Sequence, residues 1–72
     1  MRSVELSARD ISCNHCKITI ENGIIGIAGV NSVEVDIEAK RVTVVFDEYR
    51  AKTDTVLAEM AELGYPAEVI AG

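Results

Sequence analysis

The chain has 72 residues, 49% of them hydrophobic and 26% charged, with twelve acidic and seven basic side chains giving a formal net charge of −5. One domain of this size buries only about 60% of the surface it exposes when unfolded, which excludes a large core or a sizeable enclosed cavity. The composition excludes a disordered chain, and the negative charge argues against nucleic acid or anionic lipid as partners. Met1-Arg2-Ser3 leads into polar alternation rather than an apolar run, so neither a secretory signal nor membrane insertion is expected. The expected location is cytoplasmic, where a cysteine pair stays reduced and serves metal or redox chemistry.

In chain order, Val4, Leu6 and Ala8 alternate with Glu5, Ser7 and Arg9, the period of a half-buried strand. Cys16, Ile20, Ile24 and Ile27 then recur at helical spacing, predicting a helix from about Asn14 or His15 to Ala28, with Gly29 in the left-handed position after it. Gly23 and Gly26 fall inside that helix, each costing roughly 1 kcal/mol relative to alanine, so close packing or fraying is expected there. Val33, Val35 and Ile37 alternate with Glu34, Asp36 and Glu38 as a second strand, and Val42, Val44 and Phe46 with Arg41, Thr43 and Val45 as a third. The turn near Ala39-Lys40 lacks the Asn-Gly signature, and its type stays open.

A second helix is predicted to start near Thr53-Asp54-Thr55, capped by hydroxyl and carboxylate groups. It carries Val56, Leu57, Met60 and Leu63 on one face and stops at Gly64. The segment from Tyr65 to Ile70 contains Pro66, which cannot donate to a ladder, and reads as a short edge strand. The order βαββαβ predicts an α+β, ferredoxin-like sandwich: one four-stranded antiparallel sheet with two helices on one face. Glu5, Ser7, Glu34, Asp36, Thr43 and Val45 would face water on the other. No repeat or linker interrupts the sequence, so residues 1–72 read as a single domain, and the absence of linker-like tails favours a free-standing protein.

The only cysteines lie in Cys13-Asn14-His15-Cys16, on the strand-to-helix turn. Two soft thiolates three residues apart can converge on one ion. Cu(I) is content with two or three sulfurs, whereas structural zinc wants four ligands, and His15 sits too close in the turn for all three side chains to bind together without strain. Unpaired N–H groups at the helix start, with Lys17 nearby, favour the thiolate of Cys16. An isolated Cys-x-x-Cys equally describes redox motifs and half of a zinc finger.

With Asp10-Ile11-Ser12-Cys13-Asn14-His15-Cys16, the helix spacing through Ile20 and Ile24 into Gly29-Val30, the strand Ser32–Asp36, and Gly64-Tyr65 before the last strand, the chain resembles the heavy-metal-associated domain family over essentially its whole length. That family includes bacterial copper chaperones and the amino-terminal modules of metal-transporting P-type ATPases. The resemblance implies a metallochaperone, not an enzyme, that carries Cu(I) on Cys13 and Cys16. It would pass the ion by thiolate exchange to such an ATPase or its metal-binding domain, being a monomer when metal-free, with a metal-bridged dimer as the loaded alternative.

The family usually has Gly-Met-Thr before the first cysteine, its methionine a buried loop anchor; here Ile11 would fill that space. Asp10 brings a hard donor that could recruit Zn(II), although zinc-selective relatives carry the extra carboxylate where this chain has Ser12. Tyr65 resembles the tyrosine that bacterial members place beside the metal. Asp10, Ser12, His15 and Tyr65 are therefore the candidates to surround the two ligands, with Cu(I) ahead of Zn(II), Cd(II) or Hg(II).

Competing readings are weaker. Met60 has core spacing rather than a ligand's, and Glu34, Asp36, Glu38, Asp47 and Glu48 form a solvated face or, more sharply, dock a basic partner. A Zn(II)/Cd(II) or Hg(II) detoxification module, a buffer or a piece of a transporter keeps the metal and changes the job. A thiol–disulfide oxidoreductase would want a larger scaffold with a cis-proline, and RNA recognition wants exposed aromatics and basic flanks that this chain lacks. A metabolite-sensing domain would leave the thiols unused.

Overall fold

Alternating strands and two apolar helix stripes assemble in the computed structural model as β1 (Arg2–Ser7), α1 (Asn14–Ile25), β2 (Val30–Asp36), β3 (Arg41–Phe46), α2 (Thr53–Glu62) and β4 (Glu68–Ala71). The structure describes residues 1–71. The strands form one sheet in the order β2-β3-β1-β4, and every neighbouring pair is antiparallel. This is the ferredoxin-like βαββαβ arrangement that the periodicity predicts, with β2 and β4 at the edges.

Register decides which face is dry. Val4 lies opposite Val44, Leu6 opposite Val42, and Val35 opposite the other side of Val42. These side chains, with Phe46, pack against Ile20 and Ile24 of α1 and Val56 and Met60 of α2 in one buried cluster. On the other face Glu5, Thr43 and Glu34 share one row, and Ser7, Arg41 and Asp36 the next, so Arg41 stands opposite an acid across the ladder. None of these six residues is buried.

Several boundaries differ from the sequence reading. Helix α1 stops at Ile25 instead of Ala28, with Gly26 as its C-cap; Ile27 N–H then bonds to the Ile24 carbonyl at 3.0 Å and Val30 N–H to the Ile27 carbonyl at 3.1 Å. Two weak helix formers within four residues explain the early end, and tight turns take over. Gly29 does adopt a positive φ of 97°, but within the turns beyond the helix. Gly23 is the close contact: a Cβ there would stand 2.5 Å from Cδ1 of Leu63, so its absence lets α1 lie against the end of α2.

Helix α2 has Lys52 as its N-cap and no side-chain cap bond, so the expected capping by Thr53, Asp54 or Thr55 does not form. Asp54 remains in the first turn, where its charge complements the helix dipole. Strand β2 starts earlier than expected, at Val30, and Ile37 falls in the turn after it. Strand β4 begins at Glu68, leaving Tyr65 and Pro66 in the lead-in loop. At the β2–β3 turn Ala39 N–H bonds to the Asp36 carboxylate at 3.1 Å, and Lys40 takes a φ of 55°, unusual for a residue with a side chain.

Candidate metal centre

The site is built where β1 hands over to α1. Ala8 and Ile11, both fully buried, pin the two ends of the first bend, and Ile11 N–H reaches the Ala8 carbonyl at 3.4 Å. Ile11 belongs to the core cluster, as its anchoring role requires. Cys13 follows in extended conformation, with φ −155° and ψ 171°, as the N-cap of α1. Its carbonyl accepts Lys17 N–H at 3.3 Å, the first bond of the helix. Three residues on, Cys16 therefore returns over the same turn.

The two Sγ atoms lie 3.4 Å apart and are not joined as a disulfide. Their surroundings differ. Cys13 is exposed, whereas Cys16 retains 8% of its surface and its Sγ lies 3.9 Å from the main-chain carbonyl of Asp10, to which the thiol donates.

Cys16 ionises at about 6 instead of 9.0. The leading cause is the Tyr65 hydroxyl, which donates to its sulfur; the Ser12 main chain and the Cys13 thiol follow, against a smaller opposing effect of burial. The same hydrogen bond holds the Tyr65 hydroxyl above its ordinary 10.0, helped by burial and by the negative charges of Cys16, Cys13 and Asp10.

Tyr65 reaches Cys16 because of how α2 ends. Gly64 has a φ of 90°, Gly64 N–H bonds to the Ala61 carbonyl at 3.1 Å and Tyr65 N–H to the Met60 carbonyl at 2.9 Å. That pair of bonds is a Schellman motif, which a glycine at this position permits and which turns the chain sharply into Tyr65. Met60 itself is fully buried in the core, not at the thiols.

The other candidates are placed less centrally. Asp10 contributes its carbonyl to Cys16 and its charge to the field around Tyr65, and Ser12 contributes main chain. His15 is exposed on the first turn of α1. Among the described residues no three His, Cys, Asp or Glu side chains are gathered to hold a metal. A residue that sequence reasoning places only in a turn also touches the loop: Lys40 Nζ donates to the Arg9 carbonyl at 3.1 Å. No pattern in the sequence flags that contact.

The family model of the heavy-metal-associated domain matches residues 5–66. The chain belongs to the heavy-metal-associated domain family. As a heavy-metal-associated domain it is 39% identical over 66 residues to the copper chaperone CopZ of Enterococcus hirae, covering 92% of this chain and 96% of that one. It is also 31% identical over 68 residues to the periplasmic component of a mercuric transport protein of Pseudomonas aeruginosa, covering 94% of this chain and 75% of the relative.

Among solved structures, the copper binding domain of HMA7, a P-type ATPase, superimposes with a TM-score of 0.95 at 27% identity, covering 99% of this chain and 96% of that one. Oxidized MerP from Ralstonia metallidurans CH34 superimposes with a TM-score of 0.90 at 31% identity, covering 94% of each chain.

Proposed function

We propose that this heavy-metal-associated domain is a carrier of a soft metal ion, Cu(I), bound by Cys13 and Cys16 and passed to an acceptor's thiols. The observation that carries the reading is the pair of sulfurs 3.4 Å apart, one exposed and one ionised near neutral pH, with no further His, Cys, Asp or Glu gathered beside them among the described residues. Two thiolates suit a low-coordinate Cu(I) site and under-supply zinc. Asp10, Ser12, His15 and Tyr65 surround the ligands in this reading, and Tyr65 has the clearest task, stabilising the Cys16 thiolate.

Transfer proceeds by exchange of metal–sulfur bonds. An incoming thiolate adds to the ion, a three-coordinate intermediate forms, and one of the original sulfurs leaves. No bond of an organic substrate is made or broken, so the protein acts as a carrier and not as an enzyme. The proposed acceptor is a metal-transporting P-type ATPase or its metal-binding domain, a reading supported by the likeness to the copper binding domain of one such ATPase. The proposed compartment is the cytoplasm, where the pair stays reduced. No helix among the described residues is long and apolar enough to cross a membrane.

A second reading takes Hg(II) as the cargo, favoured by the identity shared with mercuric transport components. The test is an anaerobic competition of the reduced protein for Cu(I), Hg(II) and Zn(II), each against its own chelator, with stoichiometry read by native mass spectrometry. One Cu(I) per metal-free monomer, held tightly by the parent and lost in Cys13→Ser and Cys16→Ser while both variants stay folded, is the expected result. Preference for Zn(II) would return Asp10 and His15 to the ligand set, and tight binding by either serine variant would refute the site.

A further inference from the structure

Lys40 occupies a position that glycine fills at less cost. Its φ of 55° makes it the one described residue other than glycine with a positive φ, and residues held in such conformations tend to mark places where the surrounding contacts compensate. Its two contacts outside its own hairpin both fall on the base of the thiol loop. The Lys40 carbonyl accepts Ala8 N–H at 3.0 Å, and its ammonium donates to the Arg9 carbonyl at 3.1 Å.

The next carbonyl along, that of Asp10, is the one that meets the Cys16 sulfur. Successive carbonyls of one short segment thus face Lys40 and Cys16 in turn. The Lys40 ammonium holds the Arg9–Asp10 peptide plane, and the next plane, Asp10–Ile11, carries both the Asp10 carbonyl beside Cys16 and the Ile11 N–H that reaches Ala8; the two planes hinge only at the Asp10 Cα, so freedom in the first is passed to the second. Ala8 and Ile11 hold the bend by burial, but burial fixes their side chains and leaves the intervening peptides to the polar contacts.

We infer that Lys40 is a positioning residue for the thiol loop: a two-point strap from the β2–β3 hairpin that fixes the Arg9–Asp10 peptide and, through it, the seat of Cys16. The strap does not touch the metal. It slows the loop's excursions and so slows unprompted loss of the ion. This inference rests on the carrier reading for its consequence, but not for the strap itself.

The test compares Lys40→Met, which keeps the aliphatic stem and loses the donor, with Lys40→Arg, which keeps a cationic donor. In the metal-free reduced protein, amide exchange at Ile11 is expected to quicken roughly threefold in Lys40→Met, the effect of losing one exposed hydrogen bond, and to return near the parent rate in Lys40→Arg. Release of Cu(I) from the loaded protein to a chromophoric chelator should quicken by a similar factor in Lys40→Met alone, with the melting temperatures of both variants close to the parent's. Unchanged exchange in Lys40→Met, faster exchange without faster release, or equal impairment in Lys40→Arg would overturn the strap. A parent that holds no Cu(I) would refute the carrier reading instead, and the exchange arm alone would then uphold or overturn the strap.

Discussion

Tyr65 and Cys16 carry the chemistry at the scale of single residues. Because the hydroxyl is the largest influence on the thiol, Tyr65→Phe is expected to raise the Cys16 pKa from about 6 toward 9.0, seen as a shift in the ultraviolet thiolate absorbance during a pH titration. The same shift links pH to stability. A depressed pKa stabilises the fold fully above the unfolded value near 9.0, progressively less as pH falls, and not at all below about 6. The melting temperature of the reduced, metal-free protein should therefore gain a rising contribution across that window, and Tyr65→Phe should flatten it. Tyr65 stays a neutral donor throughout, its own ionisation being pushed the other way. The cysteine pair was legible from spacing alone. The tyrosine was legible only by resemblance, because its contact with Cys16 spans almost fifty positions and depends on the bend at Gly64.

Glycines separate legible from illegible at the scale of elements. Their pattern announced trouble in α1, and both anticipated outcomes occur, close packing at Gly23 and an early end at Gly26. Which glycine does which could not be read, since the difference lies in Leu63 on another helix. Substitution should distinguish them by chemical denaturation. Gly26→Ala, with ordinary helical φ and nothing nearer than 3.5 Å to the new Cβ, should stabilise by about 0.5 kcal/mol. Gly23→Ala should instead destabilise by roughly 1 kcal/mol, the crowding of Leu63 outweighing the gain in helix propensity. The caps of α2 were misread for a related reason: Thr53, Asp54 and Thr55 are all suitable cap residues, but the chain enters the helix one position earlier, at Lys52. The first three strands, by contrast, followed directly from period-two alternation, and the fourth from its proline and its place in the βαββαβ order.

At the scale of the molecule, a small core makes metal binding thermodynamically visible. At a free ion concentration a hundredfold above Kd, binding adds about 2.7 kcal/mol, which in a domain of this size raises the melting temperature by roughly 10–20 °C. Calorimetry with Cu(I) buffered by a chelator should show that rise in the parent and none in Cys13→Ser or Cys16→Ser. Topology adds a further consequence. The thiol loop, the β2–β3 turn and the Tyr65 bend gather at one end of the sheet, while β1 approaches that end from Met1 and the antiparallel β4 departs from it. Both directions of chain travel therefore leave the face that bears the thiols clear. Such a unit can be strung with others like a bead on a thread, its thiol pair facing outward whether it drifts alone or is tethered from either side.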